Sequence, residues 1–155
     1  METDVIILGS GASALTAALA ANGHGSDVMV FEKANKIGGT SAWSGGMIWV
    51  PNNPHMIAAG IKDSREEALT YLQSLSHDLI RPELAESFVD HGPEMVSWLE
   101  ENTSVKFQLV ADFPDYHPEH PGGKPTGGRS LECPLISFDD LGANKDLVTV
   151  GYNYG

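Results

Sequence analysis

Cysteine is nearly absent. Cys133 is the only thiol in 155 residues, which excludes an internal disulfide framework and fits a reducing, cytoplasmic compartment. Basic residues are scarce too: 9 lysines and arginines against 21 aspartates and glutamates leave a net charge of −12. A nucleic-acid partner needs basic patches to neutralise phosphates, so none is expected. A small dinucleotide is not excluded, because backbone N–H groups can hold its phosphates without lysine. No run of about 18 apolar residues exists, so no membrane span is expected. The opening Met1-Glu2-Thr3-Asp4 has neither a basic n-region nor an apolar h-region, which predicts no secretory signal. No internal repeat is present. What remains is ordinary for a globular chain: 41% apolar residues, 19% charged, and enough length for one domain with a core.

The 17 glycines and 9 prolines gather mostly in two loops, and the first glycines matter most. The apolar run Val5-Ile6-Ile7-Leu8 enters the turn Gly9-Ser10-Gly11-Ala12-Ser13-Ala14, and a small-residue helix over 12–22 leaves it. Gly9 permits the tight turn, Gly11 lets the backbone approach a pyrophosphate, and a small third residue lets helix and strand pack closely. The pyrophosphate then sits on the free N–H groups at the positive end of the helix. A second strand, Asp27 to Phe31, is followed by Glu32, where an acid meets the ribose hydroxyls of a bound adenosine. Strand, glycine turn, helix, strand and acid make a complete dinucleotide-binding βαβ unit. The stretch from Gly38 to Gly46 then places four glycines, two serines and a threonine among Trp43, Met47, Ile48 and Trp49. Such a loop suits the wall of a slot for a flat ligand.

Further along, residues 63–79 predict a helix capped by Asp63 or Ser64, with Ala68, Tyr71, Leu72 and Leu75 on one face. A second helix starts at Pro82 and is expected to break at Gly92-Pro93. A third runs from Pro93 to Glu101. Val105 to Val110 alternates like an edge strand. Residues 112–130 hold four prolines and four glycines and predict a long loop. Leu147 to Val150 suits a short strand. The expected organisation is α/β: a Rossmann-like βαβ in residues 1–62, a helical insertion ending in a short strand over 63–111, and a loop-rich segment over 112–155.

These residues resemble the FAD-dependent enzymes of the fumarate reductase/succinate dehydrogenase flavoprotein superfamily. The resemblance rests on Asp4-Val-Ile-Ile-Leu-Gly-Ser-Gly, Phe31-Glu32-Lys33, Gly38-Gly-Thr-Ser-Ala-Trp-Ser-Gly-Gly and Trp49-Val-Pro-Asn-Asn. The threonine-serine after the paired glycines, with Trp49-Val-Pro-Asn-Asn, Phe113-Pro-Asp-Tyr and Gly127-Gly-Arg-Ser, makes the chain most similar to 3-ketosteroid Δ1-dehydrogenases. The resemblance implies FAD as cofactor, with its pyrophosphate on the helix at Gly11, Ala12, Ser13 and Ala14. It puts the adenosine ribose at Glu32 and Lys33. It carries the remaining flavin contacts along Gly39, Thr40 and Ser41, then Ser44, Gly45, Gly46 and Met47. It also implies desaturation of a cyclic ketone, either a 3-ketosteroid or something as small as cyclohexanone. An α-proton leaves to a base and a β-hydride passes to flavin N5, with an external acceptor taking the electrons.

Tyr116 falls on a tyrosine that assists proton abstraction in that family, although a loop tyrosine with a wet hydroxyl is the plainer alternative. A phenol with a pKa of about 10 becomes a useful base only when its phenolate is stabilised. Members of the family are several hundred residues long, and their other catalytic tyrosines lie beyond residue 155 of this sequence. The fold is therefore expected to be incomplete without a second polypeptide or a C-terminal part. Two other functions stay open: reduction of an activated alkene, and a non-catalytic cofactor-binding subunit. The prolines around His117, Glu119 and His120 rule out helical i, i+4 placement, so no metal is expected. Arg129 suits a phosphate contact or, more simply, a structural ion pair, and Cys133 an inert thiol.

Overall fold

The structure is a computed structural model describing residues 2–150. The chain divides into two compact units, one formed by residues 2–46 and 135–150 and the other by Met47–Pro134.

In the first unit the two apolar runs form strands β1 (Val5–Leu8) and β2 (Val28–Phe31), joined through helix α1 (Ala12–Gly23). The strands pair in parallel, with Val5 opposite Val28 and Leu8 opposite Phe31. This is the expected βαβ unit. The Asp4 carboxylate accepts the Asp27 N–H at 2.8 Å and ties the strand starts together. The glycine-rich stretch forms a 3-10 turn over Gly39–Trp43. Near the end of the described chain, the strand expected over 147–150 is reduced to a single parallel bridge between Ile37 and Val148. Among the described residues of this unit only Ser10 is fully buried. Ile6 is 60% exposed and Leu8 80%, although a parallel sheet ordinarily covers both faces.

The second unit is built on a three-stranded antiparallel sheet of β3 (Ile48–Trp49), β5 (Gly127–Glu132) and β4 (Gln108–Ala111), in that order. Helices α2 (Pro54–Ala58), α3 (Arg65–Leu75) and α4 (Pro82–Asn102) complete it. Val50, Val96 and Leu131 form the core, with Ile48, Met95, Phe107 and Leu109 packed around them. Ser64, rather than Asp63, caps α3 by accepting the Glu67 N–H at 3.1 Å. Asn53 caps the short α2, which the sequence does not announce. It accepts the Met56 N–H at 2.9 Å and donates to Val50 and Gly128 carbonyls at 2.8 and 3.0 Å.

Two expectations are corrected here. First, α4 does not break at Gly92-Pro93. A proline inside a helix costs about 3 kcal/mol or more. The buried stripe Ala85, Val89, Gly92, Val96 and Leu99 runs straight through it, however, and each large buried side chain offsets about 1.5–3 kcal/mol. Gly92 has a packing reason too, since a Cβ there would lie 3.1 Å from Val50 Cγ1. Second, the loop expected over 112–130 ends early. Gly127 to Ser130 are buried in the central strand. A Cβ on Gly127 would meet the Phe113 carbonyl at 2.5 Å, and one on Gly128 would meet Ile61 Cγ2 at 2.9 Å. These glycines mark close approach of other groups to a strand, as glycines in strands often do. Among the described residues, no helix is long and apolar enough to cross a membrane.

The strand delivers Arg129, fully buried, into an ionic cluster. Its Nη2 and Nε donate to the two oxygens of Asp63 at 2.6 and 2.8 Å. Nη1 donates to Asp115 and to the Gly122 carbonyl, each at 2.9 Å. Burial pushes the Asp63 carboxyl up, but the Arg129 hydrogen bonds and charge outweigh it and hold the group below the usual carboxylate range. Removing the cation would leave the buried Asp115 without its counter-charge and Asp63 with only Lys124 Nζ, 3.5 Å away. Arg129→Met is therefore expected to destabilise the protein by about 3–5 kcal/mol, measured as a shift in urea midpoint. Because the folded Asp63 is more acidic than the unfolded one, its contribution is present above about pH 4 and is lost as pH falls through the lower folded value. Asp63→Asn should flatten that acid limb in pH-dependent unfolding.

Candidate functional site

In the first unit the site is built at the end of β1. Gly9 turns the chain with φ at +96°, and its N–H donates to the Phe31 carbonyl at 2.7 Å, joining the turn to β2. Gly11 is the N-cap of α1 and has no side chain to fill the first-turn amides. The Ala12 N–H meets Ser41 Oγ at 3.0 Å, and the intrahelical ladder begins with the Leu15 N–H on the Gly11 carbonyl. A Cβ on Gly39 would lie 3.5 Å from the Gly11 nitrogen, and one on Gly11 would lie 3.4 Å from Ser41 Oγ. Two glycine loops thus converge on one exposed helix N-terminus. Ala12 and Ser13 are exposed there, and Ala14 is half-buried.

Glu32 follows β2 directly and joins this cluster through Ser10. The buried Ser10 hydroxyl donates to Glu32 Oε2 and accepts the Gly38 N–H at 3.0 Å. Glu32 Oε1 accepts the Ala34 N–H at 2.8 Å. The Ala34 amide first, and then the Ser10 hydroxyl, hold the carboxyl below the usual range. Ser10 was not anticipated, because nothing distinguishes it in sequence from any serine in a turn. Lys33, Thr40, Ser44, Gly45 and Gly46 are exposed. Ser44 Oγ accepts the Gly46 N–H at 3.1 Å and donates to the Ser41 carbonyl at 2.9 Å, which shapes the loop. The cluster offers amide donors to an anion and an ionised carboxylate to a pair of hydroxyls.

Met47 and Tyr116 belong to the second unit, where both line a largely apolar pocket of about 590 Å³ with Trp49, Leu72, Leu75 and Phe113. Tyr116 is 83% exposed and meets Phe113 edge-on, with ring centroids 6.1 Å apart. Its neighbour Asp115 is buried and anchors the segment. It accepts the Trp49 indole N–H at 2.6 Å, Arg129 Nη1 at 2.9 Å and the Lys124 N–H at 2.9 Å. Tyr71 closes the floor. Burial pushes its phenol up, and its oxygen accepts the His117 N–H at 3.2 Å.

Residues 4–154 match the FAD binding domain family. The chain belongs to that family. The FAD-binding domain is 42% identical over 143 residues to the 3-oxosteroid 1-dehydrogenase of Mycobacterium tuberculosis, covering 92% of this chain and 25% of that protein. It is 44% identical over 138 residues to 4-oxocyclohexanecarboxylate 2-dehydrogenase of Sinomonas cyclohexanicum, covering 89% of this chain and 24% of that one. Among solved structures, 3-ketosteroid Δ1-dehydrogenase from Sterolibacterium denitrificans, in complex with 1,4-androstadiene-3,17-dione, superimposes with a TM-score of 0.89 at 40% identity. That likeness covers 97% of this chain and 26% of that chain. The FAD-binding domain therefore spans about a quarter of the length of the relatives it matches, and the expected resemblance and cofactor hold. The first unit suits the ligand chemically: a helix start whose own N-cap residue has no capping side chain, a glycine cradle that a Cβ would fill, and a carboxylate within reach of the same turn.

The pocket wall depends on Gly127, which sits at φ +75° against the Phe113 backbone. Gly127→Ala should cost about 1–3 kcal/mol from the backbone conformation alone, with overlap adding to it. Gly45→Ala, with no neighbour within 4 Å of its Cβ, should cost far less. Urea midpoints of the two variants provide the check.

Proposed function

We propose that this chain is the flavin-binding portion of a dehydrogenase that desaturates a cyclic ketone, a 3-ketosteroid or a smaller oxocyclohexane. The observation that carries it is the apolar pocket bearing Tyr116, in a chain 42–44% identical to enzymes named for an oxosteroid and an oxocyclohexane substrate. On this reading the amides at Gly11 to Ala14 receive the FAD pyrophosphate. Glu32 binds the adenosine ribose hydroxyls, with Lys33 beside it. Gly39, Thr40 and Ser41, then Ser44 to Met47, run along the pyrophosphate, ribityl chain and ring. Bound FAD supplies the acceptor for a hydride from the β-carbon.

The chain's own residues do the rest of what this portion can do. Met47, Trp49, Leu72, Leu75 and Phe113 desolvate an apolar ring. Tyr116 presents its hydroxyl at the pocket, where it helps move the α-proton. Asp115 fixes the Tyr116 segment through Trp49, Arg129 and Lys124. The remainder of the flavin and substrate sites comes from outside these 155 residues, through a second polypeptide or through further sequence such as the longer relatives carry.

Two measurements on the complete enzyme test the assignment. Tyr116→Phe should lower the desaturation rate by about a hundredfold while leaving FAD content unchanged. Full activity in that variant would reduce the chain to cofactor binding and scaffold. Glu32→Gln should raise the Kd for FAD about 10- to 100-fold in fluorescence titration of the apoprotein, the worth of a hydrogen bond to a charged group. Turnover should need an electron acceptor. Donor-driven reduction of an activated alkene, without desaturation, would overturn the reaction assignment.

A further inference from the structure

Among the described residues, one cluster of metal-ligating side chains lies outside the roles assigned above: His117, Glu119 and His120. The prolines beside them suggest dispersal, but the loop curls back on itself. The His120 N–H donates to the His117 carbonyl at 3.0 Å, and the Gly123 N–H to the His120 carbonyl at 2.9 Å. These two turns bring one ligand atom from each residue within 4.8 Å of the others. His117 Nδ1 already lies 3.2 Å from Glu119 Oε1, and the two imidazole centroids are 5.5 Å apart. Bonds of about 2.0–2.2 Å to a tetrahedral ion set neighbouring ligand atoms roughly 3.3 Å apart. Small rotations of the exposed His117 and Glu119 side chains close the remaining gap.

The loop beneath them is held firmly. Tyr71 Oη accepts the His117 N–H, and the Gly122 carbonyl accepts Arg129 Nη1. A Cβ on Gly122 would fall 2.1 Å from the Glu67 carbonyl, so the backbone lies directly on α3. His120 is also oriented from behind. Ser74 Oγ donates to the Tyr71 carbonyl at 2.8 Å, which leaves its oxygen to accept the His120 Nδ1–H at 3.2 Å. That bond places the imidazole lone pair on Nε2, the form a metal takes, and it is the kind of outer contact that fixes metal-ligating histidines.

We propose that His117, Glu119 and His120 bind one divalent d-block ion, zinc foremost, with water in the fourth position. Two imidazoles and one carboxylate suit Zn²⁺, Ni²⁺ or Cu²⁺ and disfavour Mg²⁺ and Ca²⁺, which prefer all-oxygen shells. His117 lines the apolar pocket and follows Tyr116 directly, so the ion sits at the pocket rim. The site does not depend on which reaction that pocket serves.

The test is calorimetric titration of the complete, tag-free, chelator-stripped protein with ZnCl₂, alongside absorption spectra with Co²⁺. One equivalent per chain should bind saturably in the micromolar range, with Co²⁺ giving the intense visible bands of a tetrahedral site. Each of His117→Ala, Glu119→Gln and His120→Ala should weaken binding at least about tenfold, while Cys133→Ser should leave it unchanged. Glu119 is exposed, so Glu119→Gln should fold normally even if His120→Ala, which loses the Ser74 contact, does not. No saturable Zn²⁺ binding, or undiminished binding in Glu119→Gln and His117→Ala, overturns the proposal.

Discussion

A guanidinium with no exposed surface is the constraint on which the second unit depends. Such a group is tolerated only when its charge is neutralised and its donors are satisfied. Asp63, Asp115 and the Gly122 carbonyl do this for Arg129, one from ahead of α3 and two from the loop that precedes β5. Asp63 stands just before α3, Asp115 within the pocket wall, and Gly122 in the loop folded onto α3. One side chain thereby sets the position of all three. The Trp49 and Tyr71 rings lie 5.3 and 5.7 Å from its central carbon, so the same cation orients aromatic groups that line the pocket. Asp115 is the member of this cluster that reaches the wall of the otherwise largely apolar pocket.

The first unit solves a different problem with smaller groups. On the proposed assignment an anion is held in a chain of net charge −12, chiefly by backbone amides. Gly11 puts no side chain over the first-turn amides, and Gly39 lets a second loop approach without a Cβ in the way. Ser10 links the two halves by bonding Glu32 and the Gly38 amide at once. On the proposed assignment, one buried hydroxyl couples the ribose-binding carboxylate to the loop that continues along the cofactor.

The parts legible in the sequence were those encoded locally. The βαβ unit depends on residues within about twenty positions of one another, in an order that chemistry requires. The capped start of α3 and its apolar face were legible for the same reason. Pro93 misled because a local penalty was overridden by a stripe packed against Val50, more than forty positions earlier in the chain. Gly127 and Gly128 suggested a loop because glycine alone does not reveal what approaches it. The Arg129 cluster could be named only as an ion pair, since Asp63 lies 66 positions away. Proline spacing in His117 to Pro121 was rightly taken to exclude a helix. It did not exclude convergence through turns.

The units differ in what holds them up. The buried hydrophobic side chains Val50, Met56, Ala68, Tyr71, Ala85, Val89, Val96, Leu99 and Leu131 all lie in Met47–Pro134. That unit carries its own core and its own ionic centre. Among the described residues, the other unit pairs two strands, which are marginal alone. Ile6, Leu8 and Phe31 remain 60%, 80% and 51% exposed. Covering side chains of this size contributes about 1.5–3 kcal/mol each, so a doubly covered sheet would be far more stable than this one. The apolar pattern of β1 and β2 was shaped for burial on both faces. The relatives are about four times as long as the matched region. The geometry of the glycine turn at Gly9 to Ala14 is written into this chain, and within the described residues the sheet beside it leaves Ile6 and Leu8 largely uncovered.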